Sequence, residues 1–335
     1  MRHTIGLVSM KAVTFTRYGP PEVLRVEDVS KPAAGEDEVL IKVRAAEATK
    51  SDCEMRSFKF AVNWFWLPLR IAFGIIKPRR HILGGYFSGE IESVGENVTL
   101  FSPGDQVFGA AGLRLGAYGE YVALPERYTI VAMPRNMSFE EAAAVPLGGL
   151  NALHFMRRAR IQPGESVLIN GAGGSIGTHA VQIAKSMGAD VTAVDSTIKE
   201  GMLRRIGADN FIDYTKEGFA ARSQKFDVIL DMVANSSYSA SIKMLNPNGR
   251  YLTANPRVSD MVRSVFTSQF TNKVASFAFA KETKEELTTL KGMIEDGKIV
   301  SIVDKVYPME KAIDAHRRVE SEQRLGAVVI AIGDL

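Results

Sequence analysis

Two hydrophobic patterns divide the chain into regions of different structure. Through residue 133, apolar and polar residues alternate in short runs, as at 11–16 and 39–43, and Gly-Pro or Pro-Gly turns separate the runs. A period of two is typical of strands that bury one face. Further runs of this kind lie at 89–94, 118–123 and 129–131. The pattern therefore predicts an all-β module without a long helix.

From Pro134 onward, strand-like runs alternate with helical stretches. Ser138 and Glu141 form a capping-box pattern for a short helix, and a second helix is predicted over 151–160. Beyond them, β-rich runs lie at 166–170, 191–194, 210–213, 226–231, 250–254 and 276–280, most of them separated by helical stretches. This alternation predicts βαβ units around a parallel sheet.

The last part of the chain returns to strand-like runs. A helix that Thr283 and Glu286 cap and Gly297 ends is followed by runs at 299–307 and 327–330, with a helical stretch at 309–319 between them. Two placements fit these strands: they extend the parallel sheet, or they return to complete the β module.

The strongest chemical signal is the segment VLINGAGGSIG at 167–177. A strand runs directly into a glycine-rich turn, and a helix follows. A turn without side chains lets backbone N–H groups approach a pyrophosphate, and the helix N-terminus adds partial positive charge. Gly177 lets the helix pack close to the strand. With a second strand ending at Asp195, the segment predicts a dinucleotide-binding site.

The residues after the second strand give opposite indications about the coenzyme. Asp195 would accept hydrogen bonds from the adenine ribose and repel a 2′-phosphate, which favours NADH. Ser196, Thr197 and Lys199 follow at once, and Lys199 could pair with a 2′-phosphate. Tyr214, just past the third strand, could reach the same place. The residue chemistry leaves NADH and NADPH both open.

Composition and charge exclude several classes of protein. The 335 residues include 41 Lys and Arg against 38 Asp and Glu, a net charge of +3, so binding of nucleic acid through bulk charge is not expected. No apolar run approaches the ~20 residues that cross a bilayer. The single cysteine, Cys53, excludes an intrachain disulfide and a multi-cysteine zinc site. It also fits a reducing compartment, and we expect a cytoplasmic protein.

One segment departs from this even charge. No acidic residue lies between Arg56 and Gly89, and both tryptophans fall within that stretch. Its basic residues are Arg56, Lys59, Arg70, Lys77, Arg79 and Arg80. The favoured interpretation is an insertion that covers a pocket, with buried aromatics and solvated basic groups. A grip on an anionic or bulky apolar substrate is an alternative. Membrane contact is disfavoured, because Pro68 and Pro78 break a long amphipathic helix.

The order of the modules resembles the medium-chain dehydrogenase/reductase superfamily, and within it the zinc-free quinone oxidoreductases. The matching segments are MKAV at 10–13, GPPEVL at 19–24, GYFSGEI at 85–91, PGDQVFG at 103–109, GAYGEY at 116–121, AAAVP at 142–146, GAGGSIG at 171–177, IDY at 212–214 and GAVVI at 326–330. The resemblance implies an α/β fold: a GroES-like, β-rich catalytic domain over 1–133 and 299–335, and a Rossmann domain with a doubly wound parallel sheet over 134–298. It also implies a homodimer through the edge of the Rossmann sheet, with the strand near 276–280 as the candidate.

The positions of the zinc ligands distinguish branches of this superfamily. Zinc-binding members carry Cys where this chain has Thr49 and a His-Glu pair where it has Gly85 and Tyr86. Neither Gly85 nor Tyr86 can replace those ligands, so no catalytic metal is expected. Without a metal to stabilise an alkoxide, reduction of a quinone or a conjugated carbonyl is favoured, because its charge spreads into a hydroquinone or an enolate.

We therefore expect an NAD(P)H-dependent reductase of small quinones or α,β-unsaturated carbonyl compounds. The resemblance implies a slight preference for NADPH, since Lys199 and Tyr214 match positions that contact the 2′-phosphate, although Asp195 departs from that pattern. The alternatives are a zinc-independent alcohol or aldehyde oxidoreductase, and a dinucleotide-binding sensor or membrane-surface protein with little catalysis.

The resemblance also implies which residues form the site. The cofactor-binding residues are Asn151, Gly171, Gly174, Ser175, Ile176, Gly177, Asp195, Ser196, Thr197, Lys199 and Tyr214. Ser175 and Ile176 offer backbone N–H groups to phosphate, and Asn151 lies near the nicotinamide. The catalytic candidates are Thr49, Asp52 and Arg56, of which Thr49 can donate a hydrogen bond to a carbonyl oxygen. No residue is assigned as the proton donor, and water could supply the proton.

Overall fold

The computed structural model describes residues 8–62, 66–216, 218, 223–234, 236–277 and 280–333. Its N-terminal region consists mainly of strands, as the alternating pattern predicts. The elements there are β1 (Ser9–Thr14), β2 (Arg25–Ser30), β3 (Glu38–Ala48), α1 (Lys50–Ser57), α2 (Trp66–Phe73), β4 (Tyr86–Val94), β5 (Gln106–Ala110), β6 (Tyr121–Pro125) and β7 (Ile130–Ala132). β1 and β2 form an antiparallel hairpin, and the longer β3 belongs to a larger sheet.

Helices α1 and α2 are absent from the sequence prediction, which gave this region strands alone. The buried residues of α1 are Asp52, Cys53 and Arg56, so its inner face is mostly polar and shows no apolar period. α2 is apolar on nearly all sides and buries none of its residues. Neither helix therefore carries the amphipathic spacing by which a helix is recognised in a sequence.

The central region alternates strands and helices, which confirms the predicted βαβ organisation. Its elements are α3 (Phe139–Ala143), α4 (Pro146–Ala159), β8 (Ser166–Asn170), α5 (Ser175–Ser186), β9 (Asp190–Asp195), α6 (Glu200–Arg205), β10 (Asn210–Asp213), β11 (Phe226–Asp231), α7 (Tyr238–Lys243), β12 (Leu245–Thr253), α8 (Val258–Phe270), β13 (Val274–Phe277) and α9 (Lys284–Glu295). Both halves of the capping box between Ser138 and Glu141 are present at the start of α3.

The strands of the central region form one parallel sheet in the order β10-β9-β8-β11-β12-β13. The order reverses between β8 and β11, and a crevice opens outside the carboxyl ends of the strands at such a point. The glycine-rich turn leaves β8 at this crevice. β13 lies at the sheet edge; residues 278 and 279 of the predicted 276–280 strand are outside the described residues.

The C-terminal strands return to the β module. The tail contains β14 (Val303–Pro308), α10 (Ala312–Glu320) and β15 (Ala327–Ala331). β15 pairs antiparallel with β3, and β14 pairs parallel with β15, in a sheet of order β14-β15-β3-β4-β5-β7 with β6 also on β3. Of the two placements that the pattern allowed, the structure has the return, while the exact domain boundaries stay a prediction.

Two large hydrophobic clusters and two smaller ones hold these sheets in the described part of the chain. One large cluster joins the parallel sheet to α4, α5 and α9, and in α9 the predicted apolar face buries Leu287, Leu290 and Ile294. The other large cluster fills the β module and reaches α10 through Ala315 and Val319. Each fully buried large aliphatic side chain contributes about 1.5–3 kcal/mol of transfer free energy. Across the described residues, the helices are all too short or too polar to cross a membrane.

Candidate active site

The glycine-rich turn between β8 and α5 has the geometry that a dinucleotide requires. A Cβ on Gly177 would lie 2.3 Å from the Gly171 carbonyl oxygen, so only glycine lets α5 pack this close to the turn. Gly171 itself has a φ of +82°, in the left-handed region. Gly174 is open: the nearest atom to a Cβ there is the Arg324 Nη2, at 3.9 Å.

The start of α5 can accept an anion. No side chain caps the helix at Gly174, so the first N–H groups, including those of Ser175 and Ile176, remain available. The Ser175 hydroxyl is buried and makes no hydrogen bond to the described residues. Unpaired buried polar groups are costly, and a phosphate here would satisfy them. The residues present therefore fit the pyrophosphate of NAD(P)H.

Asp195 and Lys199 form an ion pair beside this turn. The Lys199 Nζ lies 3.0 Å from the Asp195 Oδ1, with both side chains 7% exposed. The other carboxylate oxygen accepts the N–H of Gly173 at 2.8 Å, and Oδ1 also accepts the N–H of Ser196 at 2.8 Å. The two residues that indicated opposite coenzymes are thus partners, and the positive charge of Lys199 offsets the repulsion that Asp195 would exert on a 2′-phosphate.

The rim of this pocket carries further polar groups. Tyr214 follows β10 with an exposed side chain, and its backbone N–H donates to the Asp195 carbonyl oxygen at 3.3 Å. The Thr197 hydroxyl donates to the Asp213 carboxylate, and the Lys216 ammonium lies 3.1 Å from the same hydroxyl. Tyr214 is therefore exposed beside Asp195 and Thr197 is already engaged, and their contact with a cofactor stays a prediction.

Arg324 is a charged residue beside the glycine-rich turn that the sequence analysis did not name. It lies between α10 and β15, where its Nη1 donates to the Val319 carbonyl at 2.8 Å and its Nη2 faces Gly174. The adjoining Gly326 N–H donates to the Gly173 carbonyl at 2.9 Å. The returning tail thus brings a cation against the turn. No local sequence signal could have shown this, since the two segments are about 150 residues apart.

Thr49 and Asp52 form the N-terminal cap of α1. The Thr49 hydroxyl donates to the Asp52 carboxylate at 2.6 Å and accepts the Asp52 N–H at 3.0 Å. The other Asp52 oxygen accepts the Gly84 N–H at 3.1 Å. Burial raises the pKa of Asp52, although these hydrogen bonds oppose the shift. The Thr49 proton is therefore directed at Asp52, and Asp52 ties α1 to the segment before β4.

Arg56 is fully buried between α1 and the tail. Its guanidinium pairs with Glu320, donates to the Gly19 carbonyl at 3.2 Å and lies 3.1 Å from the Nδ1 of His316. Burial, with Arg56 beside it, lowers the pKa of His316 to about 3, so this ring is neutral. These contacts favour a positioning role for Arg56, and its assignment as a catalytic residue stays a prediction.

Cys53 lies in the same buried network. Its thiol is 3.4 Å from the Nδ1 of His316, a neighbour that the sequence separates by 263 positions. Burial strongly raises the pKa of the Cys53 thiol. Because the thiolate is the nucleophilic form, this cysteine is inert at neutral pH.

Beside the turn lies a group of residues that we call the strand floor: Glu47 on β3, Tyr86 on β4 and Glu282 just before α9. Glu47 on β3 adjoins the Ser175 hydroxyl, and its Oε2 makes no hydrogen bond to the described residues. Burial raises the pKa of Glu47 to about 8, against the lowering effect of Arg324. The Tyr86 hydroxyl donates to Glu282 at 2.6 Å, and burial raises the pKa of both side chains.

Two further polar side chains near the sheet make internal hydrogen bonds, and the predicted role of Asn151 near the nicotinamide stays a prediction. The Asn151 amide on α4 donates to the Leu147 carbonyl at 2.9 Å, one turn earlier. The strand-end carboxylate Asp231 is buried and accepts from Asn170 at 3.0 Å and Tyr251 at 3.1 Å. Asp231 therefore solvates the strand ends rather than facing the crevice as a free acid.

The residues at the positions where zinc-binding members carry their ligands are unsuited to that metal. Thr49 is a helix cap, Gly85 has no side chain, and Tyr86 is bonded to Glu282. Within the ranges that the structure describes, no group of three or more His, Cys, Asp or Glu side chains could hold a metal ion.

The basic aromatic segment fits its favoured interpretation only in part. Lys59, Lys77, Arg79 and Arg80 are exposed, but Arg70 is half-buried, and its guanidinium carbon lies 4.3 Å from the ring centroids of both Tyr18 and Phe58. Trp66 is 40% exposed, and Trp64 is outside the described residues. The exposed apolar side chains of this segment are Leu67, Ile71, Ile75 and Ile76. The segment is thus anchored by cation–π contacts while its apolar face remains open.

A separate cavity of about 590 Å³ lies between α1 and α10. Arg56, Cys53, Lys50 and Glu322 are among its lining residues, whereas Tyr86 and the glycine-rich turn are not. This cavity lacks the uncapped helix start and the open glycine that fit a dinucleotide. The turn and the strand floor therefore form the candidate active site.

Comparison with known proteins identifies chains similar to this one. Residues 35–135 match the family model of the alcohol dehydrogenase GroES-like domain, and residues 206–330 match that of the zinc-binding dehydrogenases. The chain is 31% identical over 334 residues to 2-methylene-furan-3-one reductase from Solanum lycopersicum, covering 96% of this chain and 79% of that protein. It is 30% identical over 339 residues to a quinone oxidoreductase of Pseudomonas aeruginosa, covering 96% and 99%. The structure of the quinone oxidoreductase from Coxiella burnetii matches with a TM-score of 0.86 at 28% identity, covering 97% and 100%.

Proposed function

The chain belongs to the quinone oxidoreductase-like group of the medium-chain dehydrogenase/reductase superfamily, and from that membership we propose that it uses NAD(P)H to reduce quinones or α,β-unsaturated carbonyl compounds without zinc. It is an oxidoreductase of small molecules. One observation supports hydride transfer at this place: the Gly326 N–H donates to the Gly173 carbonyl at 2.9 Å, and β15, which follows Gly326, pairs with β3, so the cofactor turn meets the strand floor.

The residues of the site have separable tasks in this reaction. A bound NAD(P)H supplies the hydride. The start of α5 and Arg324 hold the pyrophosphate by N–H groups and positive charge. Thr49, Asp52 and Arg56 fix α1 and the floor, so that the acceptor carbonyl is oriented rather than activated by a metal. The charge that develops on the acceptor must then be met by hydrogen-bond donors of the floor.

The test is oxidation of NADPH and NADH by the purified protein with a series of quinones and α,β-unsaturated ketones. We expect turnover with at least one acceptor of these classes. Alcohol-dependent reduction of NAD(P)⁺ without turnover of either acceptor class would instead favour the alcohol oxidoreductase. Cofactor binding with no turnover, together with vesicle binding, would favour the sensor or membrane-surface protein.

We propose that no catalytic zinc takes part, which the donor set of Thr49, Gly85 and Tyr86 supports. Metal analysis of the active protein, with activity measured after dialysis against a chelator, tests this. Activity that disappears with the metal and returns with added zinc would contradict it.

We also propose a slight preference for NADPH, a homodimer and a cytoplasmic location. The exposed apolar face of α8 beside the edge strand β13 supports the dimer: Val262, Val265, Phe266 and Phe270 are each more than half exposed. An apolar patch of this kind is typical of an interface. Substitution Phe266→Asp should shift the mass in solution from two chains to one, whereas Val306→Asp on β14 should not.

A further inference from the structure

We propose that Tyr86 is the proton donor to the acceptor's enolate, and that Glu282 positions Tyr86 and returns a proton to it. The inference rests on the proposed function, since it names a catalytic residue for that reaction. In the sequence alone, Tyr86 is notable only as a residue that cannot replace a zinc ligand.

The strand register places Tyr86 at the point where floor and cofactor turn meet. β3 and β4 are antiparallel, and Ala46 pairs with Phe87. Continued by one position on each strand, this register sets Glu47 opposite Tyr86, and the two side chains interact electrostatically. Glu47 in turn adjoins Ser175 at the start of α5. A dinucleotide bound at the start of α5 would therefore lie nearest to Glu47 on β3, and Tyr86 lies on the neighbouring strand β4.

The hydroxyl of Tyr86 has a single acid partner at hydrogen-bond distance among the described residues. Glu282 Oε1 lies 2.6 Å away. The Glu282 segment, just before α9, is fixed by the Thr129 hydroxyl, which donates to the Glu282 carbonyl at 2.6 Å. The charged groups that act most strongly on Tyr86 are the carboxyls Glu282, Glu47 and Asp52. No cation within ion-pair distance in the described residues holds Glu282 ionised.

A neutral Glu282 gives the hydrogen bond the direction that catalysis needs. In the structure the Tyr86 hydroxyl donates to Glu282. Burial without a paired cation favours the protonated carboxyl, and a protonated Glu282 would reverse this bond by donating its O–H to the Tyr86 oxygen. The tyrosine proton would then no longer be held by Glu282. Thr49 differs, because the Asp52 carboxyl already accepts the N–H groups of Thr49 and Gly84, and the Thr49 hydroxyl accepts the Asp52 N–H, so Thr49 is held as the donor in this cap.

The step balances in atoms and charge. Hydride addition forms a C–H bond at the β-carbon of the acceptor, and the electron pair of the C=C bond moves to give an enolate. The Tyr86 O–H bond breaks, and its proton passes to the enolate. The resulting phenolate takes the proton of the Glu282 carboxyl, and the carboxylate regains one from solvent. The acceptor is reduced by two electrons and NAD(P)H is oxidised by two.

A comparison of enones with quinones separates a proton-donor role of Tyr86 from a structural role. An enolate is a strong base that needs a donor, whereas the anion of a hydroquinone is a far weaker base. In Tyr86→Phe, kcat for an enone should fall about 10²-fold, the usual contribution of general acid catalysis, while kcat for a quinone falls much less. Tyr121→Phe on β6 is the matched control and should change neither. The dissociation constant of NADPH and the melting temperature should stay near those of the unchanged protein.

Glu282→Gln tests the positioning residue without relying on turnover. In the protein without cofactor at pH 7, infrared difference spectra against Glu282→Gln should show a protonated carboxyl that the variant lacks. In the loaded enzyme, this variant should lower kcat for enones, leave KM nearly unchanged and abolish the pH dependence that Glu282 imposes.

The outcomes distinguish the inference from the proposed function. If the unchanged protein reduces neither acceptor class, the proposed function fails. If it reduces enones and Tyr86→Phe does so equally well, or loses enone and quinone turnover in equal proportion, the proton-donor role of Tyr86 is wrong while the function stands. An ionised Glu282 at pH 7 would overturn the relay.

Discussion

The two sides of the candidate site hold buried carboxyl groups in different surroundings. The side that we call the cofactor wall consists of the glycine-rich turn with Asp195 and Lys199, and the other side is the strand floor. On the cofactor wall, Asp195 is buried but paired with Lys199 at 3.0 Å and bonded to two backbone N–H groups. On the strand floor, Glu47 and Glu282 have no cation at ion-pair distance among the described residues, and burial raises the pKa of each. The cofactor wall pairs its carboxylate with a cation, whereas burial on the strand floor raises the pKa of carboxyls that have no such partner.

This difference matches the chemistry that each wall faces. A charged, neutralised pair can meet the ribose and phosphates of a dinucleotide without adding net charge. A neutral carboxyl can hold and transfer a proton, which a salt-bridged carboxylate at pH 7 cannot. The contrast teaches that burial alone does not determine the state of an acid: the presence or absence of a cation at the same depth decides it.

The largest effect is expected from Glu47→Gln, which removes the titrating group of the floor. The pKa of Glu47 in the folded protein, about 8, lies above its ordinary value of 4.5, so the folded protein holds this proton to higher pH than the unfolded chain does. The contribution of Glu47 to stability is therefore full below pH 4.5 and is lost as the pH rises toward 8. Between pH 5 and pH 8, the free energy of unfolding of the variant relative to the unchanged protein should rise by about 4 kcal/mol.

Denaturant unfolding at several pH values between 5 and 8 measures this difference. Glu96→Gln, a change at an exposed glutamate, is the control and should leave the pH dependence unchanged. Parallel pH profiles for Glu47→Gln and the unchanged protein would break the comparison, because they would mean that Glu47 is ionised beside Arg324 in the folded state.

The second-largest effect tests whether Arg56 takes part in the reaction or only holds α1 in place. Arg56→Met removes a fully buried cation and leaves Glu320, the Gly19 carbonyl and the His316 ring without their partner. Because removing one member of a buried pair is costly, we expect a loss of about 3 kcal/mol in the free energy of unfolding. With cofactor and acceptor saturating, kcat of the folded fraction should stay close to that of the unchanged protein. A large fall in kcat with unchanged stability would show instead that Arg56 is catalytic.

The glycines of the cofactor wall give a matched pair of variants. Gly177→Ala places a Cβ 2.3 Å from a backbone oxygen, which cannot yield easily, so we expect a loss of about 2 kcal/mol in stability. Gly174→Ala meets no atom closer than 3.9 Å and has an ordinary φ of −88°, so the fold should be unaffected. Its methyl group nevertheless stands where the pyrophosphate approaches, and NADPH affinity should fall at least about tenfold. Thermal melting and fluorescence titration separate the two effects, and unchanged affinity in Gly174→Ala would move the cofactor away from this turn.

The cofactor wall could be predicted from sequence because its signals are local. The turn, Asp195 and Lys199 lie within about 30 residues, and the strand–turn–helix order is dictated by short-range patterns. The floor could not be predicted in the same way. Glu47, Tyr86 and Glu282 come together only through strand pairing and the docking of the loop before α9, and Arg324 arrives with the returning tail.

The same reason explains which parts of the fold were missed. The parallel sheet and α9 follow from apolar periodicity, and both are confirmed. Helix α1 was missed because it buries Asp52, Cys53 and Arg56, whose partners lie on the tail and before β4. The pairing of β15 with β3 joins strands almost 300 residues apart, and an apolar run carries no information about which edge it will join.

The smallest effect concerns the coenzyme, and it sharpens the role of the paired carboxylate. Lys199→Ala leaves Asp195 without its cation, so the carboxylate should repel a 2′-phosphate and the ratio of NADPH to NADH affinity should fall about fivefold, near 1 kcal/mol. Asp195→Asn should shift the ratio in the opposite direction, because the repulsion disappears while Lys199 stays available to the phosphate. Titration of both coenzymes against each variant measures the ratio, with Lys185→Ala at the Asp209 pair as a control. If Lys199→Ala and Asp195→Asn move the ratio in the same direction, the ion pair does not set coenzyme choice, and the cofactor wall neutralises its charge for stability alone.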